Sequence, residues 1–136
     1  MQAVNLTVPG IQTAPPFPPG GEIADKDLPC VVLRVGPADW LNQVLIPGAL
    51  PVQSREWIHE VYVVQVREII GKVDPGWDAV EPILQALGLT YLGNIMLDGV
   101  VHTITRIWDD GIEELRYGPK GKRYWGFRLH TVAVER

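Results

Sequence analysis

Chemistry at a protein site needs a nucleophile, a base or a set of metal ligands held close together, and few residues of this chain qualify. The three histidines, His59, His102 and His130, fall on separate strand-like runs flanked by apolar residues, without the short ligand spacing of a zinc site. They read as strand histidines, satisfied or half-exposed, rather than as ligands. Cys30 is the single cysteine, and its neighbours Val31, Val32 and Leu33 mark a buried strand thiol rather than a nucleophile. It leaves no partner for an intramolecular disulfide and suits a reducing compartment. Asp109-Asp110 has the composition of a carboxylate pair for acid–base work. Adjacent residues on a turn point apart and face water, however, and Asp followed by Gly is turn chemistry. No Ser-His-Asp, Cys-His, HExxH, Walker or GxGxxG pattern occurs. The sequence therefore predicts no enzyme, no metal and no cofactor.

The residue types that remain are those of contact surfaces. Lys120, Lys122 and Arg123, with Gly118 and Gly121, make the one concentrated basic feature, read as a solvated hairpin tip or as a loop that touches phosphate or an acidic partner surface. A net charge of -4 opposes a dominant nucleic-acid role, since phosphate binding depends on clustered positive charge. Five tryptophans, Trp40, Trp57, Trp77, Trp108 and Trp125, exceed what so small a core holds, and Trp is enriched at interface hot spots. The candidate subunit or partner interface is Pro15, Pro16, Phe17, Pro18, Trp40, Trp57, Lys120, Lys122 and Arg123.

The elements that must position these residues follow from periodicity and turn signals. At 136 residues the length fits one domain. Residues 1–27 carry Pro9, Pro15, Pro16, Pro18 and Pro19, which remove backbone donors and favour an extended arm. That arm reaches a neighbouring subunit or packs back on its own domain, residues 28–136. Leu28 to Val35 reads as a buried strand, and Gly36 to Pro51 as a loop or a single helical turn around Ala38 to Val44. Gln53 to Ile70 is the longest strand candidate, apolar on both faces at Val61 and Val63 and so covered on both sides. Asp78 and Glu81 suggest a capping box, Val80, Ile83, Leu84 and Leu87 fall at helix spacing, and Gly88 suits the C-terminal cap. Asp98-Gly99 signals a hairpin, Asp109-Asp110-Gly111 a second turn, and Gly118 to Lys122 a third. In the closing strand, Arg123 to Glu135, Trp125, Phe127 and Leu129 share one face while Tyr124, Arg128 and His130 share the other.

The expected fold is α+β: a mostly antiparallel sheet with one main helix packed on it, a Pro-rich arm and long hairpins. Val64, Val66, Ile83, Leu84, Leu87, Ile104, Phe127 and Leu129 are the predicted core. No signal peptide and no membrane span is read in the sequence.

Several stretches carry a resemblance. Pro9-Gly10-Ile11-Gln12-Thr13-Ala14, Pro18-Pro19 and Asp27-Leu28-Pro29 resemble the opening of small bacteriophage neck proteins. Glu60 to Gly71 followed by one helix, Leu115-Arg116-Tyr117-Gly118 and Tyr124-Trp125-Gly126-Phe127-Arg128-Leu129 are similar to their middle and end. The class is the tail terminator, or tail-completion protein, of long-tailed phages, and the likeness runs over most of the chain from Pro9 onward. It implies a homo-oligomeric ring, commonly of six subunits, seated on the tail-tube protein, stopping tube polymerisation and meeting the head-tail connector or head-closure protein. It implies a virion location after synthesis in the host cytoplasm, with no catalytic residue, no membrane and no sequence-specific nucleic acid. The rival readings are another neck component, such as a head-closure or adaptor protein, and a small ligand- or nucleic-acid-binding module using Lys120 to Arg123.

Overall fold

The computed structural model describes residues 11–13, 23–40, 53–69, 72–73, 76–95, 103–119 and 121–135. In chain order the elements are β1 (Gln12–Thr13), β2 (Cys30–Trp40), β3 (Gln53–Gln65), β4 (Glu68–Ile69), β5 (Lys72–Val73), α1 (Glu81–Leu92), β6 (Thr103–Tyr117) and β7 (Lys122–Glu135), with short 3-10 turns at Asp25–Asp27 and Gly76–Ala79. One sheet holds β1-β2-β3-β7-β6 in that order, while β4 and β5 pair as a separate ribbon. Every pairing is antiparallel except that of β1 with β2. The last strand of the chain lies between β3 and β6, so the C-terminal residues Phe127 to Ala133 form the middle of the core.

The α+β expectation is corrected to a mainly-β fold. The four long strands run 11, 13, 15 and 14 residues against a 12-residue helix, and α1 covers part of one face rather than forming a layer. Two signals, one read as the start of a loop or helical turn and one as a turn, lie at bulges inside longer strands. β2 passes through Gly36-Pro37 with a register shift between Val35 and Ala38, which suits a proline that has no N–H for the ladder. The helical turn expected from Ala38 is therefore strand as far as Trp40. β6 passes through Asp109-Asp110-Gly111 with a shift between Asp109 and Ile112, and Gly111 takes the left-handed conformation, φ 83°, that an L side chain resists. β3 in turn ends at Gln65, short of the expected Ile70.

Helix α1 differs at both ends from its sequence reading. It starts at Glu81 with Val80 as N-cap and no side-chain cap bond, which puts Pro82 in the first turn, where a proline is tolerated. It runs through Gly88 to Leu92 and is capped by Gly93. Leu87 and Tyr91, one turn apart, are both fully buried, and their anchorage carries the helix past the intervening glycine. The Asp98-Gly99 hairpin signal lies outside the described residues.

The sheet has a core on each face, as the two-sided apolar pattern of β3 implies. On one face Val31, Val61, Val63, Phe127, Leu129 and Ala133 pack with Val80, Leu87 and Tyr91, with Ile83, Leu84, Trp57 and Trp125 against them. On the other, Cys30, Tyr62, Leu115 and Tyr124 pack with Ile23. Of the predicted core, Leu87, Ile104, Phe127 and Leu129 are buried, while Val64, Ile83 and Leu84 are partly buried against it and Val66 is half-buried. Gly126 is fixed by a close approach: a Cβ there would collide with the Val61 carbonyl oxygen.

The described parts of the N-terminal segment lie on the sheet. Ile11 is buried in the first core, and the Gln12 amide donates to Pro29 O at 2.9 Å. Ile23 is buried in the second core, its amide donating to the Tyr124 hydroxyl at 2.8 Å.

Candidate functional site

Cross-strand register sets the polar side chains of the second face in rows. Glu60 on β3 is opposite Val32 on β2 and Arg128 on β7. Its carboxylate is almost fully buried, 5% exposed, and is held by two guanidinium groups. Arg34 Nε donates to Oε1, and Arg128 Nε donates to Oε2 at 3.1 Å. Arg128 Nη1 also donates to Glu113 on β6 at 3.2 Å. Four strands of alternating charge are thus tied across the sheet, and both oxygens of the buried carboxylate have cationic donors.

The next row centres on His130. Its Nδ1 lies 2.7 Å from Glu56 Oε1 and its Nε2 lies 2.8 Å from Asp110 Oδ2. Trp108, the cross-strand partner of His130, stacks on the imidazole with ring centroids 4.7 Å apart and planes 5° apart. Arg106 lies over the Trp108 ring, 4.3 Å from its centroid. Partial burial alone would lower the His130 pKa, but hydrogen bonds to Asp110 and Glu56 and the charges of both outweigh it. The net shift is upward.

The remaining titratable groups of the core are held in inert states. Burial, aided by the charge of Asp27, pushes the Cys30 thiol up to about 12, so it supplies no thiolate near neutral pH. Burial lowers the pKa of His59 to about 3; its Nε2 lies 3.1 Å from Thr131 Oγ1, and its ring meets Tyr91 of α1 with centroids 4.9 Å apart. Burial raises the pKa of Tyr62, and the charge of the adjacent Arg34 and its hydrogen bonding to the hydroxyl work against that rise. Asp109 and Asp110 do point apart: Asp109 Oδ1 accepts from the Gly111 amide at 2.8 Å, and Asp110 faces His130. No group of three or more His, Cys, Asp or Glu side chains is placed to hold a metal ion among the described residues.

A second feature is apolar. Between α1 and the edge of the sheet runs a groove of about 440 Å³ lined by Leu84, Gly88, Leu89 and Leu92 of the helix and by Ile107, Trp108, Asp109 and Leu129 of the sheet. Leu89 and Leu92 are 67% and 64% exposed, although neighbouring Leu87 and Tyr91 are fully buried. A Cβ at Gly88 would meet nothing within 4 Å, so the glycine leaves the groove open beside them. Exposed leucines that adjoin one another and a groove are a mark of partner surfaces, unlike scattered ones.

Of the residues proposed from sequence as an interface, Trp40, Trp57, Lys122 and Arg123 are described. Pro15, Pro16, Phe17, Pro18 and Lys120 lie outside the described residues. Trp40 ends β2 in pairing with Gln53, while Trp57, on the helix-covered face, packs against the core. Lys122 begins β7 opposite Tyr117, and Arg123 Nη1 lies 3.3 Å from Glu114. Arg116 is the cross-strand partner of Arg123 in the same hairpin. His102 also lies outside the described residues.

Sequence reasoning missed the carboxylate of Glu60, the Glu56–His130–Asp110 row and the groove. The rows carry a weak signal in hindsight: Arg34, Glu56, Glu60, Arg128 and His130 are charged or polar residues at even spacing inside strand runs. Only pairing register tells which of them meet. No protein-family model matches the chain, and no curated protein matches it either.

Proposed function

We propose that the chain is a virion structural protein, a tail terminator whose ring caps the tail tube, ends its polymerisation and receives the head connector. The reading starts from the resemblance in the sequence. The single observation that supports it best is the apolar groove between α1 and edge strand β6, with Leu89 and Leu92 exposed beside it. We assign this face to contact with a second copy of the chain. A groove on one side of the molecule, filled by a different surface of the neighbour, makes a heterologous contact, and such contacts form rings when the rotation between copies closes. The polar groups are in keeping with a structural role, since Glu60, His130 and their neighbours are paired with one another rather than converging on open space.

The test is co-sedimentation of the purified protein with tail tubes of the same phage, with the tubes viewed by negative stain. The expected result is density at one end of each tube and no further elongation when tube subunits are added. Binding to the head connector alone, with tubes that still elongate, would transfer the assignment to a head-closure or adaptor protein. Binding to neither would overturn the neck reading.

A further inference from the structure

His130 stands at the junction of three strands, and its hydrogen bonds define its charge. A neutral imidazole has one N–H and one lone pair, whereas a carboxylate at neutral pH offers acceptors only. Both ring nitrogens of His130 face carboxylates, Glu56 at 2.7 Å and Asp110 at 2.8 Å. Two N–H donors are needed to satisfy both, and only imidazolium has them. Trp108 stacked on the ring adds a cation–π contact that the neutral ring lacks.

The two carboxylates belong to different parts of the sheet. Glu56 is on β3, the middle strand of the described sheet, while Asp110 sits in the bulge where β6 loses register with β7. β6 is the edge of the described sheet, and bulge residues have no regular ladder bonds to hold them. We propose that His130 is a proton-operated clasp: as imidazolium it pins the β6 bulge to the centre of the sheet through Asp110 and Glu56, and on losing its proton it releases the bulge.

The other charged groups near the ring do not supply a substitute. On β7, Arg128 is committed to Glu60 and Glu113. On β6, Arg106 lies over Trp108, and Asp109 accepts the Gly111 amide. On β3, Glu60 is held by Arg34 and Arg128. His59, on the opposite face, is kept neutral by burial. Loss of the His130 proton thus leaves one carboxylate, Asp110 or Glu56, opposite a lone pair. Because Asp110 is the more exposed, at 41% against 21% for Glu56, it is the arm that turns away to water.

Release has a consequence for the groove, whose sheet wall includes Trp108 and Asp109. A bulge freed from the centre of the sheet reshapes that wall. A pH-dependent change in copy-to-copy contact rests on the assembly reading above, whereas the clasp itself does not.

The experiment is amide hydrogen exchange of the full chain from pH 5.5 to 8.5, corrected for intrinsic exchange, together with nitrogen NMR of the His130 ring. The expected result is a ring protonated at both nitrogens at the acid end. As the ring titrates, protection at Asp110 to Ile112 falls about tenfold, the effect of one charge-assisted hydrogen bond. In Asp110→Asn, which alters an exposed side chain, the ring should titrate at lower pH and the fall at the bulge should shrink. A ring that carries one proton throughout this range overturns the clasp. So does a bulge whose protection is unchanged while the ring titrates, or an Asp110→Asn protein that behaves as wild type. Oligomer mass measured on the same samples separates the two ideas: a bulge that opens in a protein that stays monomeric upholds the clasp and counts against the assembly reading.

Discussion

His59 and His130 lie on opposite faces of the same sheet and respond to pH in opposite directions. The folded pKa of His59 is about 3, below its ordinary 6.5, so the folded state prefers the neutral ring. The stability it contributes is fully present above pH 6.5 and is lost as pH falls toward 3. His130 is shifted upward, so its contribution is complete below 6.5 and is lost as pH rises through the folded value. His59→Gln should therefore flatten the acid side of the stability profile, measured as Tm between pH 6.5 and 4, relative to wild type. An acid side as steep as that of wild type would show that other groups set it. Glu60 carries a different kind of weight. Glu60→Gln leaves Arg34 and Arg128 with a neutral acceptor and should cost about 1–3 kcal/mol in chemical denaturation, with the loss persisting in 0.5 M salt (about a 4 Å screening length) because the carboxylate is buried. These roles were closed to sequence reading, which finds a charged residue in a strand but not the two cations brought from 26 residues before it and 68 after it.

At the scale of elements, β7 is the organising strand, since it pairs with β3 on one side and β6 on the other. Phe127, fully buried at its centre, should cost about 3–5 kcal/mol when truncated to Ala. Gly126→Ala tests backbone approach rather than packing. A methyl group there meets the Val61 carbonyl, and β3 and β7 must separate to admit it, so a loss of at least about 1–3 kcal/mol is expected. A Gly126→Ala protein with wild-type stability would mean that the two strands are not so close. The faces of β7 were legible because a period of two survives any error in strand ends: Trp125, Phe127 and Leu129 were assigned together and lie together. Strand lengths were less legible. Gly36-Pro37 and Asp109-Asp110-Gly111 have turn composition, and a bulge uses the same residues for the same backbone reasons; what decides between them is whether a partner strand continues alongside. Val80, Ile83, Leu84 and Leu87 predict the helix, but Gly88 signals its end too early. Tyr91, buried one turn beyond Leu87, is the residue that reveals the continuation.

For the molecule as a whole, the candidate site was the least legible part. Its groove joins a helix face to an edge strand that starts 11 residues after the helix ends, and its openness depends on which leucines the packing of Leu87 and Tyr91 turns outward. The sequence reading placed partner contact on the proline-rich arm, Trp40, Trp57 and the basic tip; the structure offers Leu89 and Leu92 as a further patch and buries Ile11 and Ile23 of the arm in the two cores. Removing residues 1–20 should accordingly lower Tm, because it takes away Ile11 and β1. The central claim, that the α1–β6 face joins copies of this chain, is tested most directly by mass from light scattering across a hundredfold range of concentration. The wild-type chain is compared with a Leu89→Asp, Leu92→Asp variant. Both changes are on exposed side chains, so circular dichroism and Tm should match wild type to within a few degrees. The account predicts a single closed oligomer for the wild-type chain and a monomer for the variant. A wild-type chain that stays monomeric at every concentration, or a variant that assembles as wild type does, would contradict it.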